Sequence, residues 1–128
     1  MSWKIEYWPE QKLVYIKTSG IMTLEMLRQL TKEALEVAQK YKANRYLGDH
    51  RDMLPAIESM GIYEMPRICG ELGLPRTDRL AILFSAESAG NADFKFYEDS
   101  AINAGFSHRL FTNMNDALDW LAERVPVI

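Results

Sequence analysis

The chain has 128 residues, 48% hydrophobic and 26% charged, with a formal net charge of −3. That is the size and composition of one ordinary globular domain, able to bury about two-thirds of its unfolded surface. The weakly acidic balance offers no basic face for nucleic acid, and the single Cys69 excludes an internal disulfide.

Trp3, Ile5 and Tyr7 alternate with Lys4 and Glu6, the pattern of a strand with one buried face. No signal peptide is expected ahead of it, which with the lone cysteine points to the cytoplasm. Pro9-Glu10-Gln11 makes a turn, and Leu13 to Lys17 is the returning strand, β-branched and aromatic, ended by Gly20. Thr23 caps a long helix whose buried stripe is Leu24, Leu27, Leu30, Ala34, Ala38 and Tyr41. Its wet side carries Arg28, Lys32, Glu33, Glu36 and Lys40.

Arg45 to Asp49 reads as a third strand, followed by an apolar connection from Met53 to Met65. Ser59 can cap a second helix running to about Leu72, closed by Gly73 and kinked at Pro66. Arg79 to Ser85 is a fourth strand, and its Leu80-Ala81-Ile82-Leu83-Phe84 run is far short of the ~20 residues of a membrane span. Asn91 caps a third helix carrying Phe94, Tyr97 and Ala101 on one side, stopped by Gly105. His108 to Thr112 is the last strand, and Asn113 and Asp116 open a final helix with Ala117, Leu118 and Leu121 inward.

The order β-β-α-β-α-β-α-β-α predicts a single α/β domain over residues 1–128. Its sheet is mixed, mostly parallel and five-stranded, with an N-terminal hairpin and four helices. Such folds bind ligands in the loops at the carboxyl ends of the strands.

The hairpin, the helix after Thr23, Leu47-Gly48-Asp49 and the terminal Ala117-Leu118-Asp119-Trp120-Leu121 resemble bacterial stand-alone STAS-like (SpoIIAA-like) proteins. That family shares its fold with the lipid-transferring CRAL-TRIO domains. The resemblance spans nearly the whole chain as an order of elements with loose motifs. It implies a regulatory or binding module with an apolar ligand, the membrane periphery or a protein partner as target. In anti-sigma-factor antagonists of this fold an Asp-Ser-Ser-Gly loop is phosphorylated. This chain has Glu58-Ser59-Met60-Gly61 there, leaving Ser59 as the candidate phosphorylation site.

Asp49-His50-Arg51-Asp52 groups titratable residues at a strand's carboxyl end, and Ser85, Glu87, Ser88 and Asn91 could rim the same crevice. Adjacent ligands rarely converge on a metal, so Asp49 and His50 read better as a solvated or ion-paired loop. A small hydrolase using Asp49, His50 and Ser85 is the least supported class, because no nucleophile-elbow pattern accompanies them. No catalytic, metal or cofactor set is therefore assigned. Cys69 sits with Met65, Ile68 and Leu72 at helical spacing, as a small buried hydrophobe does.

The sharper signal is Met53, Leu54, Pro55, Ile57, Met60, Ile62, Tyr63 and Met65, apolar density where a connection is normally polar. Such a stretch either seals the core or forms a lid over an apolar ligand, a lipid or a protein partner. A two-fold homodimer would bury the same patch.

Overall fold

The computed structural model describes residues 2–55, 66–85 and 92–123, without the side chains of 54, 55 and 92–97. Five strands form one sheet: β1 (Ser2–Trp8), β2 (Leu13–Met22), β3 (Arg45–Pro55), β4 (Arg79–Leu83) and β5 (Ser107–Phe111). Helix α1 (Leu24–Tyr41) joins β2 to β3, α3 (Ala92–Asn103) joins β4 to β5, and α4 (Met114–Ala122) follows β5. A further helix, α2, covers residues 66–71. Strand order in space equals chain order, β1 antiparallel to β2 and all later pairs parallel. This is the expected β-β-α-β-α-β-α-β-α architecture.

Strand alternation divides the core between the two faces of the sheet. Val14, Ile16, Met22 and Tyr46 face α1, which covers them with Leu27, Leu30, Ala34 and Ala38. Cys69 and Leu74 complete that layer, and burial pushes the Cys69 thiol up to about 12, so it is an inert packing group. Leu13, Tyr15, Leu47 and Ala81 face the other way, against Ala117 and Leu121 of α4. Each buried leucine contributes roughly 1.5–3 kcal/mol by leaving water.

Local signals start and stop the helices as anticipated. Thr23 accepts from the Met26 N–H, and Asn113 accepts from the Asp116 N–H. Gly73 and Gly105 take the positive φ values, 106° and 86°, that close α2 and α3. The last carbonyls of α4 receive two arginines from the sheet. Arg45 reaches Leu121 O, and Arg79 donates to Trp120 O at 2.6 Å while lying over the Trp120 ring.

Three expectations are corrected. Gly20 does not end β2, which continues to Met22 with Gly20 at φ 77°. Tyr41 is not buried; it is 46% exposed and stacks on Tyr7 at a centroid distance of 4.3 Å. Its ring closes the end of the β1–α1 contact rather than the core. Most consequentially, β3 does not stop at Asp49. Residues 50–55, expected as a loop and the start of a connection, are strand, because they pair with the extended end of β2.

Candidate functional site

At the carboxyl end of the sheet β3 outruns its neighbour. It pairs with β4 from Arg45 to Asp49, and with β2 all the way to Pro55, opposite Met22. Residues 53–55 of β3 and 20–22 of β2 therefore form a two-stranded ribbon projecting past β4 and past β1. One irregularity lies at its base. Lys17 pairs with Asp49 but Ser19 pairs with Asp52, so His50 and Arg51 together stand opposite Thr18. An extra residue of this kind is a β-bulge, which bends a strand and re-aims its side chains.

The bulge gathers charge around Asp49, which is fully buried. The Tyr15 hydroxyl donates to its Oδ2 at 2.8 Å. Arg51, two residues along the same strand, donates from Nη2 to Oδ2 at 2.8 Å and from Nε to Oδ1 at 2.9 Å. Its backbone N–H adds a longer bond to Oδ1 at 3.3 Å. Lys17 bridges Asp49 at 3.7 Å and Asp52 at 2.9 Å, a double contact possible because the bulge returns Asp52 to the Lys17 face. Burial pushes the Asp49 carboxyl up, but the donors from Arg51 and Tyr15 outweigh it and hold the group well below the usual carboxylate range. The Tyr15 phenol is raised by its own burial and by the Asp49 charge. Lys17 is raised by its bond to Asp52, and Arg51 by its bond to Asp49.

His50 points to the opposite face. Its Nδ1 shares a hydrogen bond with the Thr18 hydroxyl at 2.7 Å, and its ring lies 6.1 Å from that of Phe84. Burial holds the imidazole down at about 4, so it is neutral at physiological pH. Gly48 makes room for it, since a Cβ there would sit 2.9 Å from His50 Nε2.

Adjacent in sequence, Asp49 and His50 are thus separated by the sheet and do not form a working pair. The charge cluster is ion-paired, as one of the two sequence readings has it, but in strand rather than loop. His108 is buried in β5 and likewise held down at about 4 by burial. Ser85 follows β4, half-buried, while Asn91 lies outside the described residues. Met53 and Leu54 belong to the ribbon, Met53 packing against both the α1 layer and the Ile82–Phe84 cluster. Ser59, Ile57, Met60, Ile62, Tyr63 and Met65 lie outside the described residues. Among the described residues, no group of three or more His, Cys, Asp or Glu is placed to hold a metal. Tyr15, Lys17 and Thr18 were not anticipated as site residues. The alternation of Tyr15 and Lys17 with Ile16 was the available signal, since it sets both polar ends on one sheet face.

No family model matches the chain, and no curated protein matches it significantly. Solved structures do. An uncharacterised DUF3478-family protein with a SpoIIAA-like fold, from Shewanella loihica PV-4, superposes with a TM-score of 0.59 at 18% identity, over 94% of this chain and 92% of that one. The anti-sigma factor antagonist SpoIIAA, in its unphosphorylated form, superposes with a TM-score of 0.51 at 13% identity, over 94% and 97%. The protein therefore has the SpoIIAA-like, or STAS, fold, as the sequence resemblance implied.

Proposed function

We propose that this protein is a non-enzymatic binding or regulatory module of the cytoplasm or membrane periphery. It takes an apolar ligand, either a lipid or the apolar segment of a partner protein, at the carboxyl end of its sheet. The observation that carries this reading is the ribbon projecting past β4, with Ile21 57% exposed on it. Carboxyl ends of strands are where open α/β sheets bind. The apolar run that begins at Met53 and continues in sequence to Met65 enters from this ribbon, and Met-rich segments repack readily around varied ligands. The commitment of Asp49 to Tyr15 and Arg51 favours a scaffold over an acid–base group.

A second reading draws on the likeness to SpoIIAA, solved in its unphosphorylated form. In it, Ser59 is phosphorylated and switches affinity for a protein partner. Native mass spectrometry of protein purified from its own cells separates the two. Bound lipid or a second polypeptide, lost in Ile21→Glu, supports the first reading. A phosphate adduct lost in Ser59→Ala supports the second, and a bare chain contradicts both.

A further inference from the structure

The two edges of the sheet are finished differently. At β5, Glu98 of α3 accepts from the Leu110 backbone N–H at 2.8 Å, occupying a donor of the edge strand. At the other edge, the described residues place no strand outside β1. An uncovered edge strand is a template for pairing with another chain.

The sequence of β1, SWKIEYW, says which chain fits. Turned antiparallel to itself about a two-fold axis at Ile5, it sets Ile5 against Ile5 of the partner subunit. Lys4 then faces Glu6 of the partner subunit and Trp3 faces Tyr7 of the partner subunit, each pairing occurring twice. Opposite charges and aromatic pairs directly across a ladder are what stabilise it. No neighbouring register does this. A slip of one residue sets Lys4 or Glu6 opposite an apolar side chain, and a slip of two sets Lys4 on its own copy or Glu6 on its own copy.

The helix above β1 obeys the same axis. Trp3 Nε1 donates to Glu33 Oε2 at 2.6 Å, and Tyr7 stacks on Tyr41, so α1 runs along β1 with Val37 midway, level with Ile5. Between them is an open groove of about 440 Å³ lined by Trp3, Ile5 and Val37, with Glu33, Glu36 and Lys40 on its rim. The two-fold brings the two Val37 positions together over the closed groove and runs each Lys40 toward the acidic rim of the other copy.

We infer that the protein forms a two-fold dimer through its β1 edges, centred on Ile5, making one continuous sheet of two copies. This surface is the outer edge of β1, centred on Ile5 opposite Ile16, and does not include the exposed Ile21 of the β2–β3 ribbon, so the inference stands apart from the proposed function.

Charge reversal tests it, read by sedimentation equilibrium up to millimolar concentration, with circular dichroism to confirm folding. Lys4→Glu alone and Glu6→Lys alone each turn two attractive pairs into repulsive ones and weaken the dimer by roughly tenfold or more. The double variant K4E/E6K restores it. The decisive arm mixes the two single variants. The K4E copy then presents two acidic side chains to the two basic ones of the E6K copy, and a heterodimer forms. The Lys4–Glu6 ion pair within one chain, at 2.9 Å, cannot be restored by mixing, so only the intermolecular register explains that result. A wild-type chain monomeric at millimolar concentration overturns the inference. So does a dimer indifferent to both reversals, or a mixture no more associated than its components, which would point to another face or to a different extended partner on this edge.

Discussion

Tyr15 on β2 donates its hydroxyl to the buried carboxylate of Asp49 on β3 at 2.8 Å, tying two parallel strands together where the ribbon leaves the sheet. Arg51 closes the other side of the same carboxylate, so the charge is neutralised within β3 itself. An ion held this way is a rigid support, and breaking one partner leaves the others to be desolvated for nothing.

Asp49→Asn accordingly costs about 1.5–3 kcal/mol, the worth of hydrogen bonds to a charged group. Tyr15→Phe costs about 1 kcal/mol, and the double variant costs less than the sum because both remove one network. The Asp49 carboxyl is lowered in the folded state, so its contribution is present above the unfolded value and lost as pH falls below it. Urea midpoints of the wild type therefore drop below about pH 4, and Asp49→Asn flattens that drop.

A second acid-sensitive window belongs to the histidines. His50 and His108 are each lowered from 6.5 to about 4 by burial, so between those values only the unfolded chain takes up the protons. Stability then falls as pH is lowered from about 6.5 to about 4. Replacing either histidine with Gln reduces that slope in urea titrations, and a slope unchanged by both replacements would contradict the burial account.

Gly48→Ala is expected to cost about 1–3 kcal/mol by overpacking, since the new Cβ meets the His50 ring that Thr18 holds in place. In a His50→Ala background the same substitution costs less. Equal costs in both backgrounds, by thermal melting, would show that the ring is not the obstacle.

Arg79→Met removes a hydrogen bond to Trp120 O and the cation over the Trp120 ring, at a cost of about 1–2 kcal/mol. Arg79→Lys recovers only part of it, because an ammonium cannot both stack on the ring and reach the carbonyl. Chemical denaturation of the three proteins measures this directly.

Element order was legible because β1 alternates with a period of two, α1 repeats at helical spacing, and the strands between are short apolar runs, whose division between the two core faces only the sheet shows. The apolar stripe of α1 and the caps Thr23 and Asn113 are purely local signals. What escaped local reading was set by pairing across strands. Asp49-His50-Arg51-Asp52 looks like a loop by composition, yet the extended β2 supplies a ladder for it, and one bulge sorts the four side chains. Gly20 reads as a stop but serves inside β2 at positive φ. Tyr41 has helical spacing for the core, but only the position of β1 decides that it covers Tyr7 at the surface.

The most direct test of the central claim is photo-crosslinking in the native host, with p-benzoylphenylalanine in place of Ile21 on the ribbon. Exposed Gln11, in the hairpin turn at the opposite end of the sheet, serves as control. A lipid or a single protein species joined at position 21 and absent at position 11 is the predicted result. No adduct at position 21, or the same adducts at both, would contradict binding at the carboxyl end of the sheet.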